Sequence, residues 1–326
     1  METEKLSWKS AFFESPGPQT LKEAALLSLK GLCMGTADII PGVSGGTMAL
    51  ITGIYPQLLQ AIKSVDTQLA LRLLKFDIKG ALATVHLRFL LALFLGIGFA
   101  IISLARLMNY LLHAHPIYIW SLFFGLIVAS VIVVGRYVSR WSPGAGGCFC
   151  AGGLLAWLLV NAVPVSTPET AGFIFFSGLI AICAMILPGI SGAFILLILG
   201  KYEFITGCLK NPFLVENFTT IVIFCAGCLV GLMGFSRVLN ALLNRYFNLT
   251  IAFLTGLMAG SLPRIWPWKE VVETRLIRGK EHIIQVRNIL PEGIDGAFCL
   301  AVILAVVGFA LVVWLERVAA GDKPGG

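Results

Sequence analysis

GTADIIPGVSGGTMALITGIY, residues 35–55, is apolar on both flanks and interrupted in the middle. Pro41 lacks an amide donor and its ring crowds the preceding turn; Gly42, Gly45 and Gly46 give up more backbone freedom than any other residue when ordered. The stretch therefore predicts a helix that runs in from about Leu21, stops near Asp38 and restarts near Ser44. Such a break leaves backbone N–H and C=O groups without intrahelical partners.

The pattern returns 147 positions later as MILPGISGAFILLILGKYE, residues 185–203. Pro41 matches Pro188, Gly42 matches Gly189, Ser44 matches Ser191 and Gly45 matches Gly192; Gly53 and Tyr55 match Gly200 and Tyr202. A second block matches at an offset of 131: Gly96 with Gly227, Arg106 with Arg237, Asn109 with Asn240, Gly125 with Gly256. Two Gly/Pro-broken apolar segments at corresponding places in two halves point to the binding site of a repeat-built transporter.

Composition sets the solvent. Only 13% of residues are charged and mean hydropathy is +0.90, against about a quarter charged in soluble domains. Several apolar runs are long enough to cross a bilayer, so the chain reads as a polytopic membrane protein. The net charge of +7 is read as loop lysines and arginines that orient the spans, not as a nucleic-acid surface. Residues 1–20 contain acidic residues and no continuous apolar core, and read as a short cytoplasmic lead-in rather than a signal peptide. The eight cysteines lack His or carboxylate neighbours and read as small hydrophobes. His86, His113, His115 and His282 show no ligand spacing, so neither a metal nor a cofactor is expected.

The expected fold is all-α, with two inverted repeats, each a re-entrant helical hairpin plus three transmembrane helices. Repeat 1 covers 21–163, with its hairpin at 21–62 and spans at 88–112, 117–138 and 145–163. Repeat 2 covers 171–318, with its hairpin at 171–209 and spans at 216–243, 248–263 and 294–316. The basic connection 63–88 is cytoplasmic by the positive-inside rule. Three crossings per repeat then put residues 264–293 outside, although they carry six Lys and Arg. That segment alternates around Arg278-Gly279-Lys280 and predicts a small β-hairpin, preceded by Trp266-Pro267-Trp268 as an interfacial anchor.

The candidate binding residues follow from the breaks. Freed amides attract an anion, Ser44, Thr47 and Ser191 add hydroxyls, and Gly42, Gly45, Gly46, Gly189 and Gly192 admit a ligand close to the backbone. The competing reading is that these glycines only permit tight helix crossing. Arg106 and Arg237 lie inside apolar runs, where an arginine costs at least about 2.5 kcal/mol and is a functional-site hypothesis by default. Snorkelling to the interface is the alternative, since each lies six residues before the end of its run. Asp38 has no acidic counterpart, because Met185 stands at the matching position. It is either an N-cap of the restarting helix or a proton-coupling group.

ADIIPGVSGGTMALITGIY, LPGISGAFILLILGKY and SLPRIWPWK together resemble the bacterial membrane family long catalogued as domain of unknown function 368, whose members are described as polyprenyl-phosphate (undecaprenyl-phosphate) translocases. The resemblance covers about residues 20–318. It implies a cytoplasmic-membrane protein, not an enzyme, that returns the lipid carrier from the outer to the inner leaflet for envelope synthesis. Carried over by motif, the binding candidates are Asp38, Pro41–Thr47 and Pro188–Gly192. Copy two departs from copy one: Ala193 and Phe194 stand where Gly46 and Thr47 stand in the first. With no ATP motif, uphill work falls to a proton or sodium gradient, or to consumption of the product. The alternative reading is an ion-coupled transporter or channel for a small anion; a lipid phosphatase lacks a visible nucleophile or metal.

Overall fold

The computed structural model describes residues 7–39, 44–65, 67–162, 164–165, 167–277, 280–291 and 293–321. Among them the fold is helical, with one two-stranded sheet. A short helix α1 (Trp8–Glu14) leads into α2 (Leu21–Ile39). After the interruption come α3 (Gly45–Ile51) and α4 (Tyr55–Lys63). Two more short helices, α5 (Thr67–Leu74) and α6 (Ile78–Thr84), precede the long helices α7 (Leu87–Ala114), α8 (Pro116–Gly135) and α9 (Pro143–Val160). The second half runs α10 (Ala171–Ile186), α11 (Gly192–Ile198), α12 (Tyr202–Cys208), α13 (Val215–Arg245) and α14 (Phe247–Ser261). A 3-10 turn (Leu262–Ile265), strands β1 (Lys269–Ile277) and β2 (Lys280–Asn288), and α15 (Gly296–Gly321) complete it.

Five helices, α7, α8, α9, α13 and α15, are long and apolar enough to cross a membrane. Their outward faces carry exposed Phe94, Phe99, Leu154, Phe218, Val222 and Val306, as expected of surfaces solvated by lipid rather than water. The centre is different. Every residue of α3 is buried, and so are Tyr55, Leu59, Leu254, Leu257 and Met258. Broken backbone is tolerated at membrane depth only when protein covers it, and α3 is covered on all sides.

Backbone-to-backbone approach at glycines sets the helix pairing. The Ser28 carbonyl of α2 occupies the place of a Cβ at Gly96 of α7, and the Phe175 carbonyl of α10 does the same at Gly227 of α13. The Ala305 carbonyl of α15 does so at Gly125 of α8, and the Phe149 carbonyl of α9 at Gly256 of α14. Small residues at these crossings let helices close where lipid supplies no hydrophobic drive. The four dominant pairs are therefore α2 with α7, α10 with α13, α8 with α15 and α9 with α14.

Three details differ from the sequence reading. The stretch expected as the second limb of each hairpin is two helices, divided at Gly53 (φ +73°) and Gly200 (φ +64°), where the left-handed backbone favours glycine. The basic connection 63–88 contains α5 and α6, with Asp77 capping α6 through the Gly80 amide. The lead-in is strapped down: buried Ser15 donates to the Val85 carbonyl (2.7 Å) and accepts from Leu87 N (2.9 Å). Arg88, also buried, donates to the Phe13 and Pro18 carbonyls and to the Gln19 side chain.

Candidate functional site

The two interruptions lie against each other. Ser44, extended at φ −118° and ψ 131°, caps α3 by accepting from Gly46 N (3.2 Å), and its hydroxyl faces the Met185 and Leu187 carbonyls at 3.4 Å. Thr47 Oγ1 accepts from Gly189 N (2.9 Å). The Tyr55 hydroxyl donates to the Ile186 carbonyl (3.0 Å). Polar side chains of the first break thus satisfy the orphan carbonyls ending α10 and the amide of the second. Gly46 lets this happen: a Cβ there would stand 2.8 Å from the Ile186 carbonyl oxygen.

Asp38 Oδ1 accepts from Gly45 N at 2.7 Å. The bond satisfies the first amide of α3 as a cap would, although Ser44 holds the N-cap position itself, and it seats the carboxylate at that amide. Asp38→Ala is expected to cost about 0.5–2 kcal/mol, the range for losing such a cap, while Asp38→Asn keeps the acceptor and most of the stability. Melting in detergent separates the two.

The expected site residues divide into three groups. Ser44, Gly45, Gly46 and Thr47 are buried, as are Pro188, Gly189 and Gly192, with Ser191 partly so. The donors of Gly45, Gly46 and Gly189 are already committed to Asp38, Ser44 and Thr47, so in this conformation those amides are not open to a ligand. Pro41 and Gly42 lie outside the described residues. Arg106 is exposed on α7, and Arg237 turns back to the Met233 carbonyl of its own helix (2.7 Å). Among the described residues neither guanidinium bonds to either break.

The arginine that does reach a break is Arg264. It lines a closed pocket of about 10 Å³ together with Gly189, Ser191, Phe194 and Ser261. Its guanidinium lies over the Phe194 ring at 4.5 Å. Lys269 Nζ donates to the Arg264 carbonyl and lies 4.2 Å over the Trp120 ring. Burial lowers the pKa of both; that of Lys269 is pushed down to about 7, by burial first and the Arg264 charge second. Sequence reasoning treated both cations only as loop charges. The signal for them was their position inside SLPRIWPWK, bracketing the tryptophans.

Because the folded pKa of Lys269 lies below its ordinary 10.5, the unfolded chain holds the extra proton between those values. Stability of the ligand-free protein is therefore expected to rise as pH goes from about 7 towards 10, and Lys269→Met to flatten that rise in thermal melts.

A larger cavity, about 570 Å³, opens at the other end of the bundle. Lys30, Gln57, Gln60 and His86 line it beside Leu27, Phe89 and Trp314, and its wall reaches Thr52 and Ile54 at the end of α3.

The profile described as VCA0040-like, undecaprenyl phosphate translocase-like, matches residues 34–283, which include both breaks and the Arg264–Lys269 turn. The chain belongs to this family. As a member of the undecaprenyl phosphate translocase-like family it is a multi-pass protein of the bacterial cytoplasmic membrane and a transporter rather than an enzyme. A polyprenyl-phosphate transporter of Vibrio cholerae serotype O1 is 42% identical over 298 residues, covering 89% of this chain and 96% of its own. One from Staphylococcus aureus is 32% identical over 256 residues, covering 73% and 85%. No solved structure matches the chain. Among the described residues no group of His, Cys, Asp and Glu could hold a metal ion.

Proposed function

We propose that this chain carries undecaprenyl phosphate from the outer to the inner leaflet of the cytoplasmic membrane, recycling the lipid carrier for envelope synthesis. The observation that carries the reading is the contact between two buried helix breaks inside a bundle whose relatives are named for polyprenyl-phosphate transport. A phosphate monoester bears close to two negative charges and does not cross hydrocarbon bare. A path for it needs polar backbone and hydroxyls at membrane depth, which Ser44, Thr47, Gly189 and Ser191 supply. For that path to open, the bonds between the breaks must part, with Asp38 releasing the Gly45 amide or exchanging a coupling proton. Arg106 and Arg237 belong to this reading only if opening turns them inward.

The accompanying architecture is two inverted repeats, 21–163 and 171–318, each a re-entrant hairpin and three transmembrane helices, with a lead-in over 1–20 and the polar insert at 264–293. Recurring geometry supports it. Ser28 approaches Gly96 as Phe175 approaches Gly227, the same pair of offsets found in the sequence. The Leu93 carbonyl at Gly31 recurs as the Phe224 carbonyl at Gly178. Positive φ recurs at Gly53 and Gly200. With one end open to about 570 Å³ and the other closed to about 10 Å³, the conformation suits one phase of an alternating-access cycle.

The test is leaflet exchange in proteoliposomes that contain undecaprenyl phosphate. Phosphatase added outside cleaves only outer-leaflet headgroups, so about half the lipid stays protected in protein-free vesicles. The protein is expected to remove that protection. Persistent protection with correctly folded protein overturns the reading, and uptake of inorganic phosphate instead points to the small-anion alternative.

A further inference from the structure

A surface groove of about 420 Å³ runs between α8 and α15, lined by Phe124, Val128, Trp266, Trp268, Phe298 and Phe309 among others. The Trp266 ring meets Phe124 edge-on at 5.4 Å, and the Trp268 ring stacks on Phe298 at 5.7 Å. Trp120 lies one turn before Phe124 on α8 and carries the Lys269 ammonium on its face. A cation therefore stands beside the groove, next in sequence to its lining residue Trp268, and it is bonded to the turn that carries a second one, Arg264.

Among the described residues no carboxylate forms an ion pair with either of these two charges. The Arg72–Asp77 pair lies elsewhere in the chain, on α5 and the α6 cap. Both cations are largely withdrawn from water, which lowers the pKa of each, and the Arg264 charge adds to the lowering at Lys269. Adjacent desolvated cations are expensive to hold, and an aromatic face compensates only in part. What relieves both is one group with two negative charges and several acceptor oxygens, such as a phosphate monoester. Ser191 and Ser261 line the pocket next to Arg264 and add hydroxyls. An apolar slot beginning beside such a pair fits a molecule with a phosphate at one end and a hydrocarbon chain at the other.

We propose that Arg264 and Lys269 receive the phosphate of a polyprenyl phosphate whose first isoprene units lie in the α8–α15 groove, on the membrane face that carries the β1–β2 hairpin. This site rests on the transport reading above and specifies where the lipid is taken up or released before the hairpins part. Headgroup binding displaces Arg264 from the Phe194 ring, which faces the second break, so occupancy and opening are linked.

The experiment measures binding of undecaprenyl phosphate and of undecaprenol to the full chain in nanodiscs. Arg264→Gln and Lys269→Gln are each expected to weaken undecaprenyl phosphate binding by about tenfold to a hundredfold, the range for lost hydrogen bonds to a charged group. Lys269→Arg retains binding within a few-fold. Val302→Trp, which fills the groove, weakens it by about tenfold with both cations intact. Folding is checked independently: the Gln variants melt at or above the temperature of the unmodified protein when ligand-free, because a desolvated charge is gone, whereas a purely structural role lowers it. Unchanged affinity in the Arg264→Gln, Lys269→Gln double variant overturns this site while leaving the transport reading in place. Equal affinity of the unmodified protein for undecaprenol does the same. Absence of any lipid-phosphate binding by the unmodified protein overturns both.

Discussion

Gly189→Val is expected to abolish transport and to leave little monodisperse protein in detergent. Gly189 has φ +86°, where a side chain costs about 1–2 kcal/mol. A Cβ would also stand 2.8 Å from Met258 Cα and 3.0 Å from Met258 N. Neither neighbour can give way, because they are backbone of α14 at a residue with no solvent exposure. Overpacking of this kind adds about 1–3 kcal/mol. Any shift that relieves it pulls the Gly189 amide off Thr47 and separates the breaks. Gly53→Ala is the control: it has a similar φ of +73° but nothing within 4 Å of its Cβ, so only the backbone strain remains and transport survives. Size-exclusion profiles and leaflet exchange on the same preparations check both.

The second large effect is expected at Gly125. Its missing Cβ is replaced by the Ala305 carbonyl of α15, and reciprocally the Leu122 carbonyl of α8 fills the place of a Cβ at Gly308. Gly125→Val must push α15 away from α8 along this seam. The expected loss is about 3 kcal/mol, the upper end for inserting bulk into a packed contact. It should appear as a large drop in melting temperature and loss of lipid-phosphate binding, since the same seam floors the groove under Phe124 and Phe309. Gly98→Val on α7 has open space around its Cβ and is expected to be silent in both measurements.

These two glycines also mark what could be read from the chain. Pro41, Gly45 and Gly189 announce their breaks because proline and paired glycines oppose helix in any context. Gly125 and Gly256 matched in register but carried no sign of which helix they approach; that depends on a partner some 180 residues away for Gly125, and periodicity holds no such information. Gly53 and Gly200 were visible as matching positions, yet positive φ is a property of the fold rather than of an isolated glycine. Arg106 and Arg237 stood out by their apolar surroundings, which report the cost of a charge and not the direction in which it points. Arg264 and Lys269 were legible as part of SLPRIWPWK and as basic residues on the side expected to be outside, but not as neighbours of a break. Their significance comes from Trp120 and from the second break with its neighbour Phe194 converging on them, two places distant in sequence. Lys201, which the sequence allows either as a gate charge or as a side chain snorkelling to the interface, is buried and donates to the Thr167 carbonyl at 2.6 Å.

Two of the four tight helix pairs, α8 with α15 and α9 with α14, join the first half of the chain to the second. The halves are interleaved rather than placed side by side. Swinging one whole half against the other would drag carbonyls past the glycines that seat them, at Gly125, Gly256, Gly260 and Gly308 together. The α2–α7 and α10–α13 seats lie outside that set, so opening is expected to move α2–α4 with α7, and α10–α12 with α13, against α8, α9, α14 and α15, once the Thr47–Gly189 and Tyr55–Ile186 bonds part. Such a carrier would work like two levers on one axle, and on the transport reading proposed above its lipid would pass where their tips touch.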